Sequence, residues 1–215
     1  MFGDPNVYGS RRCYDVLKSH FLKCRWNEVY DFIEFVVQTV SSGQIRVEEF
    51  REAVNKILNQ ENSAYRMLGG EFCPITNDAE MAEVDAAASS NEDAIREHMR
   101  AAIGFLSDRK DPNYRNSIKE SISAVESLMK ILTGTKSATL SEGLKRIESV
   151  VTLHPALRQA FEKLYAYTSD EQGVRHAIFD QSNVTHGDAK LVLVYCSAFI
   201  NYVLEKFAEK NQDLK

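Results

Sequence analysis

Arg175 and His176 are adjacent, and His186 follows ten residues further on. Arginine keeps its charge at every physiological pH, and its planar fork can hold two phosphate oxygens at once. Histidine exchanges a proton near neutrality, because its unperturbed pKa is about 6.5. Residues of these types can promote phosphoryl transfer without a metal. One imidazole takes the proton of the attacking hydroxyl and a second group returns one to the leaving oxygen. The guanidinium meanwhile stabilises the charge that gathers on the phosphate. Two structural readings stand beside this one: Arg175 pairs with a carboxylate such as Asp180 or Glu171, and His186 belongs with Thr185 and Asp188 to the turn that caps the last helix. In a metal reading His176 and Asp180 lie four apart on one helical face, with His186 and Asp188 following, but no recognised ligand spacing supports it. No metal and no cofactor is therefore expected.

These residues need an element to hold them. From 191 to 204 every residue is apolar or aromatic except Ser197 and Asn201, which fall with Lys190 and Glu205 on one stripe of a 3.6-residue period. That stripe is the strip expected to face water, so this helix becomes the centre of an all-helical core with Arg175, His176 and His186 near its N-terminal end. The polar connector at 169–173 and the turn at 183–187 lead into it.

Upstream, Trp26, Val29, Tyr30, Ile33, Val36, Val37 and Val40 repeat at helical spacing, and Tyr14, Leu17, Phe21 and Leu22 mark a helix before them. Val47, Phe50, Val54, Ile57 and Leu58 mark the next. Gly69-Gly70 supplies the positive φ of a tight turn, so 64–75 reads as a small hairpin, the one strand signal expected. Asn77 and Glu80 form a capping-box pattern for a helix reaching about Ser89, whose alanine-rich and acidic interior places it on the surface. A further helix covers 92–107. Asp108, Arg109, Lys110, Asp111 and Pro112 make the clearest boundary in the chain. Beyond it come a long apolar face through Tyr114, Ile118, Ile122, Val125, Met129 and Leu132, a second capping pattern at Thr139 and Glu142, and a helix opened by Pro155.

Composition narrows the function. The chain has 215 residues, 44% of them hydrophobic, with ten Gly and four Pro, enough for a sizeable core of helices joined by short turns. A net charge of −5 disfavours a coating or storage role on nucleic acid, which requires extensive phosphate neutralisation, but leaves room for an enzyme that meets RNA transiently. Arg96, Arg100, Arg109, Lys110, Arg115 and Lys119 form a locally basic stretch, read first as a salt-bridged surface with Glu97, Asp108, Asp111 and Glu120. His20, His98 and His154 read as surface or boundary residues. Cys13, Cys24, Cys73 and Cys196 share no short spacing, and Cys196 sits in the most apolar helix as a small hydrophobe. The N-terminus lacks the pattern of a signal peptide, and the 191–204 run is shorter than the roughly 20 apolar residues of a membrane span. The expected location is cytoplasmic, with no membrane partner. Serine nucleophile elbows and phosphate-binding glycine loops are absent.

Two phrases bring a family into view. Asp111-Pro112-Asn113-Tyr114-Arg115-Asn116-Ser117-Ile118-Lys119-Glu120-Ser121-Ile122-Ser123-Ala124-Val125-Glu126-Ser127 and Gly173-Val174-Arg175-His176-Ala177, with the core helix, resemble the C-terminal part of AbiJ-type abortive-infection proteins, which is similar to the HEPN superfamily of helical bundles. The resemblance extends more loosely to 26–32 and 63–66. It implies antiphage defence, metal-independent cleavage of RNA and an active site formed across a homodimer, with a phage or host regulator as a further partner. Arg175 and His176 match the opening of the HEPN motif. Where its closing histidine falls, this chain has Asp180, Gln181 and Ser182, and the next histidine is His186. Either the loop is lengthened and His186 closes the motif, or the bundle is a non-catalytic module that dimerises or holds a partner. The expected fold is all-α: residues 111–215 form a HEPN-like bundle of four to five helices, and 1–110 a smaller helical region with the hairpin near 64–75.

Overall fold

The computed structural model describes residues 5–39, 47–134, 140–148, 150–169 and 184–212. The chain divides into two compact units, residues 1–53 and 54–215. The first holds α1 (Pro5–Phe21), α2 (Trp26–Thr39) and the start of α3 (Val47–Gln60). The turn after α1 closes on backbone bonds from Leu22 N to Lys18 O and from Cys24 N to His20 O. Glu28 then reaches back to accept from Arg25 N at 2.8 Å, satisfying a donor at the start of α2. Phe21 meets Phe32 edge-on, with ring centroids 5.2 Å apart.

The second unit begins with the rest of α3 and the hairpin of β1 (Arg66–Leu68) and β2 (Glu71–Cys73). The strands are antiparallel, pairing Arg66 with Cys73, Met67 with Phe72 and Leu68 with Glu71. Both turn residues are left-handed, Gly69 at φ 57° and Gly70 at φ 95°, as a two-residue hairpin turn demands and as glycine alone adopts without strain. Asn55 of α3 acts as a short extra strand. Its Oδ1 accepts from Met67 N at 2.7 Å and its Nδ2 donates to Met67 O at 3.0 Å, satisfying both backbone groups of a fully buried residue.

Among the described residues six helices follow: α4 (Asp78–Ala88), α5 (Asp93–Ser107), α6 (Tyr114–Thr133), α7 (Leu140–Ile147), α8 (Pro155–Ser169) and α9 (His186–Gln212). The fold is all-α with one short hairpin. The charged 108–112 stretch is the turn between α5 and α6, which pack together, so it lies inside the second unit. Asp108 Oδ1 accepts from Lys110 N and Asp111 N, shaping that turn. At the α5–α6 contact Ser117 donates to Ala102 O and Ser121 to Ser117 O, so fully buried hydroxyls stay bonded while their small size lets the helices approach.

Two local expectations are overturned. α4 is not a surface helix: Val84, Ala87 and Ala88 are buried, and the helix packs on α9. Its alanines give little apolar periodicity but allow close approach. Nor does most of the polar stripe of α9 face water; of its four residues only Glu205 is exposed. Lys190 pairs with Glu80 of α4 at 2.9 Å, Asn201 Nδ2 donates to Glu83 O and Oε2 at 3.0 and 2.7 Å, and buried Ser197 donates to Leu193 O. From Lys190 to Asn201 the polar strip of α9 is thus its seam with α4. The flank beside it is open, where Leu191 is 57% exposed.

The core runs from Leu68 through Ile103, Ile118 and Leu128 to Phe161, Phe199 and Val203, wider than the 113–215 bundle alone. α9 is longer than its apolar run. At 27 residues it is long and apolar enough to cross a bilayer by length and composition. Here its Val192, Leu193, Cys196, Phe199, Ile200 and Val203 are buried in the core.

Candidate active site at the start of the last helix

Arg175 and His176 lie outside the described residues, as do Asp180 and Glu171, the carboxylates offered as partners for Arg175, and Thr139 of the second capping pattern. His186 is described and is the first residue of α9. Thr185 and Asp188 form a reciprocal cap around it. Thr185 donates to Asp188 Oδ2 through its backbone N at 2.8 Å and its hydroxyl at 2.7 Å, while Asp188 N lies 3.3 Å from the Thr185 hydroxyl oxygen. This arrangement satisfies orphan donors at the helix start and places a carboxylate at the positive end of the dipole. The Thr185 donors, assisted by the Tyr167 hydroxyl, hold Asp188 below its ordinary pKa.

Three helix ends converge here. The His186 ring stands edge-on to Tyr114, the first residue of α6, with centroids 5.9 Å apart. Tyr167, near the end of α8, donates to Asp188; burial raises its pKa and the Asp188 charge adds to the shift. Lys190 follows one turn along α9. His186 is half-buried, and its Nε2 is buried with no hydrogen-bond partner among the described residues. Burial, then the nearby Lys190 charge, pushes its pKa below the ordinary 6.5. The imidazole is therefore neutral near pH 7.

Tyr114, Tyr167 and Lys190 were not expected at this site. Tyr114 is 72 positions from His186, and no spacing rule links residues so far apart. Helix packing brings Tyr114 and Tyr167 to the site, whereas Lys190 lies one turn from His186 in the same helix.

The other polar candidates are engaged elsewhere. Arg96 pairs with Asp93 and donates to Ser90 O. Glu120 faces His98 Nδ1 at 2.7 Å, with Lys119 at 4.0 Å. His154 Nδ1 accepts from Ala156 N in the first turn of α8. Burial raises the Cys196 thiol far above its usual pKa, so it remains protonated as a core residue. Among the described residues there is no group of three or more His, Cys, Asp or Glu placed to hold a metal ion.

No curated protein and no solved structure matches the chain. A family match falls on the N-terminal side, covering α1 to α4 and the hairpin; it ends before Asp111 and does not reach the site around His186. Residues 5–90 match the family described as AbiJ N-terminal domain 4, which supports an AbiJ-type protein.

Proposed function

We propose that this chain is an antiphage effector of the abortive-infection type, acting in the cytoplasm, whose C-terminal bundle is a metal-independent HEPN-type endoribonuclease. The defence role rests on the match over residues 5–90. The chemical reading is supported by His186, held at the first turn of α9 with its pKa lowered by burial, so that it is unprotonated at neutral pH and suited to act as a base. In this reading His186 or His176 removes the proton of the RNA 2′-hydroxyl, whose oxygen attacks the adjacent phosphorus. The bond to the 5′-oxygen breaks, that oxygen takes up a proton, and a 2′,3′-cyclic phosphate remains on the upstream fragment. Arg175 donates to the phosphate oxygens as their charge rises. The working assembly is a homodimer whose Arg175 segments share a cleft near the two-fold axis, and a phage or host regulator triggers it.

The test uses the purified full chain on single-stranded RNA with a chelator present. Cleavage should persist, leave a cyclic phosphate and spare DNA, which lacks the 2′-hydroxyl. Arg175→Ala should cost about 100-fold, as for a lost oxyanion donor, and Arg175→Lys should recover little. If His186→Ala abolishes cleavage while His176→Ala does not, the lengthened motif has kept its closing histidine. Sedimentation at tens of micromolar should show the dimer. Absence of cleavage, or equal cleavage without Arg175, would overturn the enzymatic reading.

Two observations favour a second reading, a non-catalytic module that dimerises or holds a partner. His186 Nε2 is closed to solvent, and the Thr185–Asp188 cap accounts for the segment without catalysis. Under this reading His186→Ala alters stability alone.

A further inference from the structure

Residues 11–26 carry five basic side chains, Arg11, Arg12, Lys18, Lys23 and Arg25, against the single acid Asp15, in a chain whose net charge is −5. The stretch covers the second half of α1 and the turn into α2. Arg12, Lys18, Lys23 and Arg25 are exposed. So are large aromatic and apolar side chains: Tyr14 is 63% exposed, Leu22 77% and Trp26 56%. Tyr14 and Lys18 stand four apart on one face of α1, and Leu22, just past its end and bonded through its N to Lys18 O, extends that row to about 12 Å at the helical rise. Lys23 and Arg25 follow in the turn, and Trp26 opens α2; all three are exposed. Trp26 meets Tyr30 edge-on, at 5.4 Å between centroids, and is still more than half exposed.

An aromatic ring exposed to water among cations has a physical use. Stacking against a nucleobase removes apolar ring surface from water whatever the base, while nearby Lys and Arg neutralise the backbone that carries it. We infer that this face of α1 and its turn binds an unpaired polynucleotide, with Tyr14 and Trp26 as stacking platforms and Lys18, Lys23 and Arg25 as phosphate contacts. A duplex offers its phosphates but keeps its base faces stacked, leaving the two rings unused. The inference concerns binding and does not rest on cleavage by the C-terminal bundle.

The experiment is fluorescence anisotropy of the full chain with 20-nucleotide oligo(U), oligo(dT) and a 20-base-pair duplex across a salt series, in buffer with chelator. The RNA carries a 2′-O-methyl group at every position so that turnover cannot intrude. Both single strands should bind more tightly than the duplex. Lys18→Gln with Lys23→Gln should weaken binding and reduce the slope of log affinity against log salt by about 1.4, the loss of two single-strand phosphate contacts. Tyr14→Ala should weaken binding about tenfold with the slope unchanged, the signature of lost stacking rather than lost charge. Trp26→Ala should do the same; Trp26→Phe, which keeps a ring, covers the case in which the alanine variant misfolds. Unchanged affinity and slope in the lysine variant would overturn the inference. So would duplex binding as tight as single strands, or binding of phosphatidylglycerol vesicles that needs these residues when oligo(U) binding does not.

Discussion

At the scale of single residues, His186 has the most consequential environment. Burial lowers its pKa, so folding favours the neutral ring. The sign follows from linkage: the contribution to stability is complete above the unfolded value of about 6.5 and is lost as pH falls through the lower folded value. Urea midpoints should therefore decline from about pH 6.5 downward in the parent protein and less steeply in His186→Gln. Asp188, also depressed, adds its own loss only below the ordinary carboxylate value of 3.8, so the two windows separate. Parallel declines in parent and variant above pH 4 would show that the ring is solvated. The residue types were readable from the chain, and so was the Thr185–Asp188 pattern three apart. The shift was not, because its main cause is burial of the ring, which depends on packing between helices; only the lesser cause, Lys190 one turn along the same helix, could be read from spacing.

At the scale of elements, Gly143 shows why a glycine sits inside an eight-residue helix. It is buried in α7 against α6, and a Cβ there would stand 2.8 Å from Met129 Cβ and 3.1 Å from Met129 Cγ. Gly143→Ala should destabilise the protein, because overpacking of about 1–3 kcal/mol outweighs the gain in helix propensity of about 1 kcal/mol. A variant as stable as the parent would mean that α7 can move away from α6 at little cost. Local chemistry served well wherever a backbone demand selects a residue: Gly69-Gly70 for the hairpin, Asn77 for the start of α4, Pro155 for α8, and Gly134, left-handed at φ 67°, for the end of α6. Glu80 shows its limit. The capping pattern assigns that side chain back to Asn77, but it bonds Lys190 across the α4–α9 seam. Asn77 alone accepts from Ala79 N and Glu80 N.

For the whole molecule, α9 joins α4, α5 and α6 into one core, and Phe199 tests that role. It is 5% exposed and stacks on Phe161 of α8 at 4.1 Å between centroids. Phe199→Ala should cost about 3–5 kcal/mol in urea denaturation; a loss below about 1 kcal/mol would place α9 at the periphery. The apolar run of residues 191–204 by itself determined that such a helix exists and is mostly covered, since so much hydrocarbon is costly to leave in water. Helical periodicity and turn chemistry likewise determined the all-α class and the hairpin, because both act over a few neighbouring residues. Only tertiary structure decided which side of α9 meets which neighbour. A polar stripe reads the same whether water or a Glu-bearing helix satisfies it, and alanine reads the same in solvent as in a tight seam. The same limit explains the 108–112 stretch, whose turn residues specify a change of direction and not whether a domain ends there. The setting of His186 is tertiary for the same reason: Tyr114 and Tyr167 reach it through the packing of α6, α8 and α9, over distances in sequence at which no periodicity operates.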